Sequence, residues 1–132
     1  MKKILLLLFI SVLSVNAQET PFNCDYNAYL FQYNDVYAID LASGNSYSVA
    51  VDVTEGTINA AAYNPTDGFI GGAWRLPAKS MGRIGKDVTT LIFYVDELPT
   101  SGRYVGDVSA DGVYYLKGGG TDYYALDVNP ES

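Results

Sequence analysis

The chain has 132 residues, 48% of them hydrophobic and 17% charged, with eight Lys or Arg against fifteen Asp or Glu and a formal net charge of −7. This length predicts one domain at most. The acidic balance argues against nucleic acid and anionic membranes as partners, because affinity for phosphate groups comes largely from Lys and Arg, and histidine, the commonest general base and metal ligand, does not occur.

Residues 1–17 read as a secretory signal peptide. Lys2 and Lys3 supply the positive start, Ile4 to Val15 is an apolar run broken only by Ser11 and Ser14, and Val15-Asn16-Ala17 places small residues at a cleavage position. The run is shorter than the ~20 apolar residues of a membrane-spanning helix. Cleavage after Ala17 makes Gln18 the new terminus and leaves six basic residues against fifteen acids, a net charge of −9. A lipid anchor needs a cysteine directly after the cleavage point, and Cys24 lies too far along. As the only cysteine, Cys24 is a free thiol, an intermolecular link, or half of a pair with a partner elsewhere. The expectation is an exported, soluble chain: a lead-in over 18–27, then a repeat domain over 28–132.

Twelve Tyr, five Phe, many Val and Ile, and thirteen Gly make the mature composition strand-like. No stretch keeps helical periodicity for three turns without a Gly or Pro, so essentially no helix is expected. Turn signals at Asn34-Asp35, Ser43-Gly44-Asn45, Glu55-Gly56, Asn64-Pro65-Thr66-Asp67-Gly68, Ser101-Gly102, Asp111-Gly112 and Gly118-Gly119-Gly120 delimit short apolar runs. They predict strands near 28–33, 36–41, 46–53, 58–63, 69–73, 81–85, 90–95, 104–108, 113–117 and 123–128. Val36-Tyr37-Ala38-Ile39-Asp40-Leu41 and Tyr123-Tyr124-Ala125-Leu126-Asp127-Val128 alternate in polarity as a pleated strand requires.

Internal repetition separates a propeller from a sandwich or a barrel. Asn64-Pro65-Thr66-Asp67-Gly68-Phe69-Ile70 aligns with Val108-Ser109-Ala110-Asp111-Gly112-Val113-Tyr114 at an offset of 44, and Val36-Tyr37-Ala38-Ile39-Asp40 with Tyr123-Tyr124-Ala125-Leu126-Asp127 at 87, about twice that. Four strands in such a period are the span of a propeller blade. With strands lettered a to d from the centre outward, the chain supplies b-c-d (28–53), a-b-c-d (58–95) and a-b-c (104–128). The expected fold is therefore all-β: a partial β-propeller of about two and a half four-stranded antiparallel blades, part of a longer propeller. Such an arc leaves an apolar flank and open strand edges, to be covered by further blades or by self-association.

Val36-Tyr37-Ala38-Ile39-Asp40-Leu41-Ala42-Ser43-Gly44 resembles the strand-turn signature of surface propellers with YVTN-type and quinoprotein-type repeats. Ser109-Ala110-Asp111-Gly112-Val113-Tyr114-Tyr115-Leu116 is similar to the Asp-Gly hairpin that precedes it in each blade. The layout of Cys24-Asp25, Ala61-Ala62-Tyr63-Asn64-Pro65 and Gly106-Asp107-Val108 resembles a propeller-like domain of unknown function in secreted, surface-anchored proteins of Bacteroidota and other bacteria. The likeness covers roughly 24–130 and implies an adhesin-like setting. Gly71-Gly72-Ala73 departs from the bulkier residues expected in its second strand.

No motif carries catalysis. Serines lack a histidine base, no Gly-x-Ser-x-Gly elbow occurs, and Lys79-Ser80 and Lys86 do not make a Ser-x-x-Lys pattern. Gly118-Gly119-Gly120-Thr121 joins two strands, whereas a phosphate cradle needs a following helix. Asp67 and Asp111 read as turn residues with Gly after them. Asp96-Glu97 and the Asp107–Asp111 pair are the remaining carboxylate pairs. Asp52, Glu55 and the Asp107–Asp111 turn are open to calcium, though neither EF-hand spacing nor a nonapeptide calcium repeat is present.

No metal or cofactor is called for. The binding candidates are Trp74 and Arg75, at the start of a loop that also carries Lys79, and Asp107 on an inner strand; exposed Trp stacks on sugar rings and anchors protein interfaces. The expected function is a secreted or cell-surface, non-catalytic binding, adhesion or scaffolding module with a glycan or protein partner. The alternative is part of a secreted propeller hydrolase or lyase whose catalytic residues lie in other blades, and a third reading is a pure spacer.

Overall fold

The computed structural model describes residues 19–22 and 25–131; the signal sequence and Cys24 lie outside the described residues. Ten strands follow one another without a helix among the described residues: β1 (Asn27–Gln32), β2 (Asp35–Asp40), β3 (Ser46–Ala50), β4 (Ile58–Tyr63), β5 (Ile70–Trp74), β6 (Ser80–Ile84), β7 (Thr90–Tyr94), β8 (Arg103–Val108), β9 (Val113–Gly118) and β10 (Tyr123–Asp127). They form three antiparallel meanders, β1-β2-β3, β4-β5-β6-β7 and β8-β9-β10. The expected all-β class and the grouping into three, four and three strands hold in this structure.

Turn chemistry explains where the strand ends differ from expectation. The third strand stops at Ala50 instead of 53: Asp52 takes a left-handed conformation (φ 53°), its amide donating to Asp35 Oδ1 at 3.0 Å. Tyr33 (φ 60°) ends β1 one residue early. The Asp-Gly turns are as their chemistry requires. Asp67 Oδ1 accepts the Phe69 amide at 3.0 Å while Gly68 sits at φ 77°, and Gly112 at φ 85° follows Asp111, whose carboxylate takes the Ser109 hydroxyl.

The middle sheet is the wall on which the others pack. One face carries Ile58, Trp74 and Ile84, joined by Phe31 of β1 and by Val53 from the segment that follows β3. The opposite face carries Ala60, Ala73 and Met81, packed against Tyr114 and Leu116 of the third meander and capped by Leu98. Side chains of this size stabilise by about 1.5–3 kcal/mol each when fully buried. The first strands converge, with β4 lying along β8 and touching β1.

Close approach between sheets depends on small residues. A Cβ on Gly71 would lie 2.7 Å from Cε1 of Tyr114, and one on Gly106 would lie 2.9 Å from its Cε2 and would collide with the Ala60 carbonyl oxygen. The Tyr114 ring therefore occupies the gap those two glycines leave. A bulge between Asn59 and Ala62, with Ala60 at φ 53°, interrupts the β4 ladder, and the Tyr114 hydroxyl donates to the Ala60 carbonyl. On the other face, a Cβ on Gly82 would lie 2.7 Å from Trp74 ring carbons. Gly71 and Gly72, where bulkier residues are expected, thus lie against the two largest buried rings, Tyr114 and Trp74.

The described part of the lead-in is strapped across the middle sheet's loops. The Phe22 amide donates to Gly68 O (2.7 Å), Lys86 donates its amide to Thr20 O (2.7 Å), and Glu19 pairs with Arg83 at 2.7 Å.

Two measurements test this packing. Gly71→Val drives a three-carbon side chain against the Tyr114 ring and lowers stability by about 1–3 kcal/mol in urea unfolding, as overpacked cores do. Tyr114→Phe keeps the ring but orphans the Ala60 carbonyl and costs about 1–3 kcal/mol.

Candidate functional site

A cleft of about 470 Å³ opens between the second and third sheets. Met81 and Phe93 wall it from the middle sheet, Tyr114 and Leu126 from the third, with Val95, Val108 and Val128 between them. Its rim is polar: Asn64, Asp67, Arg83, Asp127 and Asn129. Gly106 admits a close approach of β8 to Ala60 at the first strands, and the cleft opens away from that contact toward Phe93 and Leu126.

The rim groups are held in place. Arg83 donates to Glu19 Oε2 through Nη2 (2.7 Å) and Nε (3.1 Å), reaches Asp67 Oδ2 at 3.5 Å, and stacks 4.4 Å above the Phe69 ring. Asn64 is buried; its side-chain amide donates to Val128 O at 3.3 Å while its oxygen accepts from Thr66 N and Oγ1. Asp127 accepts the Asn129 amide at 3.0 Å. An apolar floor with a fixed polar rim suits holding the face of a ligand and orienting its polar groups. The lining contains no Ser, Thr, Cys or Lys; its titratable groups are Asp67, Arg83, Tyr114 and Asp127. Among the described residues no group of three or more His, Cys, Asp or Glu is placed to hold a metal ion.

A second hollow of about 320 Å³ lies between the first two sheets, lined by Phe22, Asp25, Tyr29 and Tyr63 among others. The Tyr29 hydroxyl donates to Asp25 Oδ2 at 2.9 Å and its ring meets Phe22 edge-on at 4.7 Å. Burial, then the neighbouring Asp25 carboxylate, push the Tyr29 phenol up to about 12. Partial burial opposes ionisation of Asp25, but hydrogen bonds from Tyr29, Asn27 and Lys86 outweigh it and hold the carboxyl below its ordinary range. Burial, followed by the charge of Asp107, likewise pushes Tyr114 upward.

The residues singled out from sequence are dispersed. Trp74, which the sequence places after a strand with core packing and partner contact both open, is the last residue of β5, paired with Ser80 and Ile58 and 3% exposed. The flanking Gly72 and Gly82 leave room for the ring against the sheet, so burial wins over presentation. Arg75 is exposed and its amide donates to Thr57 O at 3.0 Å. Asp107 is exposed on β8, opposite Tyr115, and accepts the Val108 amide at 2.9 Å. Trp74 and Arg75 share a small cavity with Arg103, while Asp107 lines neither that cavity nor the large cleft. Of the carboxylates considered for calcium, Asp52 accepts from Asn34 Nδ2 at 3.0 Å, and Ser109 holds Asp111 below the usual carboxylate range. Sequence reasoning takes Asn64 as a turn residue and Tyr114 as packing between sheets, and passes over Arg83; only the Asp-Gly repeat, which aligns the Asn64 and Val108 turns, points near this cleft.

The two raised tyrosines set an alkaline limit. Below pH 10 both forms of the chain keep these phenols neutral; above it the unfolded chain loses protons that the folded chain retains, so stability falls as pH rises from about 10 toward 12. Urea midpoints measured from pH 8 to 11.5 decline in the wild type, and Tyr29→Phe flattens the upper part of the curve. Comparison of the chain with family models, with curated proteins and with solved structures returns no match, so the functional reading rests on this geometry.

Proposed function

We propose that the three sheets are successive blades of a partial β-propeller, and that the chain serves as a secreted or cell-surface, non-catalytic binding or scaffolding module. Three features support the blade reading: each sheet is a simple meander, successive sheets stack face to face, and their first strands gather on one side.

The observation that carries the functional part is the unequal covering of the sheets. The middle sheet is shielded on both faces, whereas the outward sides of the flanking sheets display Leu30 (49% exposed), Val105 (63%), Tyr115 (46%) and Tyr123 (69%). Apolar residues on a sheet face are a docking surface for another layer. The outer strand β7 adds Leu91, Ile92, Phe93 and Tyr94, all exposed and uncharged, along the margin of the large cleft. Adhesion or scaffolding uses such surfaces directly; the cleft, with its apolar floor and fixed rim, is the place for a glycan or protein segment. The cleft's two carboxylates are engaged with their surroundings, Asp67 with the Phe69 amide and Arg83, and Asp127 with the Asn129 amide, which supports binding over turnover in this part of the protein.

Sedimentation velocity on residues 18–132 tests the docking faces. The chain self-associates at tens of micromolar, and Val105→Lys with Tyr123→Lys shifts it toward monomer; a wild type that stays monomeric and binds no apolar dye removes the docking reading. A glycan and protein array tests the cleft, where Leu126→Arg abolishes whatever signal the wild type gives. Turnover of an ester or lactone by the mature chain defeats the non-catalytic assignment.

A further inference from the structure

Arg103 is a buried cation without a counter-ion. It is 5% exposed, and among the described residues no carboxylate lies within ion-pair distance of it. Its terminal nitrogens are spent on neutral acceptors in the preceding loop: Nη1 donates to Ser101 O (2.6 Å), Ser101 Oγ (3.2 Å) and Gly102 O (3.1 Å), and Nη2 to Pro99 O (2.9 Å). The guanidinium stacks 5.0 Å above the Tyr124 ring. Nε is left buried with no partner. A guanidinium does not escape the cost of burial by losing its proton, so its charge has to be matched from outside the side chain.

The cavity that Arg103 lines has a volume of about 30 Å³. Arg75 and Lys79 line it too, and no Asp or Glu does, in a chain where acids outnumber bases fifteen to eight. Trp74 and Ser80, cross-strand partners at the end of β5 and β6, complete this end of the wall, and Trp74 Nε1 and Ser80 Oγ are also buried without partners. The unpaired atoms are therefore two N–H groups and a hydroxyl, none of them an obligate acceptor. Ser80 Oγ and the carbonyls of Pro99, Ser101 and Gly102 could accept from a water here, but water brings no charge, whereas an anion accepts from the free N–H groups and also balances the guanidinium. The volume suits one atom-sized guest.

We infer that this cavity is a small-anion site for a monovalent, halide-sized ion, held by Arg103 with Arg75 and Lys79 supplying the surrounding positive field. The site lies apart from the inter-sheet cleft and does not depend on the ligand assigned there.

Trp74 is the only tryptophan, and its burial shields it from ions in free solution, so its emission reports the site. Sodium bromide is titrated into the mature chain at constant ionic strength, with sodium gluconate as the balancing salt. The expected result is saturable quenching that added chloride reverses. Arg103→Lys keeps the charge but loses the fixed fork and raises half-saturating bromide about tenfold. Should that variant fail to fold, the wild type's melting temperature decides: it rises with chloride over gluconate at equal ionic strength if the ion binds the folded state. Quenching that grows linearly, saturation unchanged by Arg103→Lys, or no response to halide in either emission or melting overturns the proposal and leaves water as the occupant.

Discussion

The seating of Tyr114 between two glycines governs how the second and third sheets meet. Side chains usually hold stacked sheets about 10 Å apart. Here Gly71 on one side and Gly106 on the other remove the Cβ atoms that would enforce that distance around the ring. Buried phenol needs an acceptor, and the bulge in β4 frees the Ala60 carbonyl to provide it. Three local departures from regular strand structure, two glycines and a left-handed alanine, are thus one arrangement. It draws β4 and β8 together, and the cleft opens away from that contact.

The middle sheet bears the thermodynamic load of the molecule. Both of its faces are covered, one around Trp74 and one around Tyr114, so it exchanges the most apolar surface for protein contacts. The flanking meanders each have three strands and one covered face, and gain less. The strap formed by Glu19–Phe22 ties the lead-in to loops of the middle sheet through two main-chain hydrogen bonds and the Glu19–Arg83 pair. Its ion pair is partly exposed, a setting in which such pairs are worth little alone; the main-chain bonds and the Phe22–Tyr29 contact fix its course.

The acidic composition is spent on turns more than on a concentrated field. Asp40, Asp67 and Asp127 each accept backbone amides within two or three residues. Asp40 consequently stays below the ordinary carboxylate range, its neighbours Ser43 and Ala42 donating to the charged form. The few cations are largely committed: Arg83 and Lys86 to carboxylates, Lys79 and Lys117 to carbonyls. Against that pattern Arg103 stands out, a full charge drawn into the interior with only dipoles around it.

By itself, the sequence determined the number of strands, their order and their grouping into three meanders. Those follow from period-two polarity and from Gly, Asn and Asp at turns, and both act over a few residues. Even there, the left-handed Asp52 ended a strand that composition would have continued. Which residues meet across sheets was decided by tertiary structure alone. Ahead of Arg75 and Pro77, Trp74 reads as either core or contact, and the space that presents or hides it is set by Gly72 and Gly82, one of them eight residues away and on another strand. Arg83, Tyr114 and Arg103 gained their roles from contacts with Glu19, Ala60 and Tyr124, separations that no local pattern encodes. The physical reason is range: hydrogen bonding and polarity choose the strand locally, whereas packing of side-chain volumes chooses the site, and it acts between segments distant along the chain.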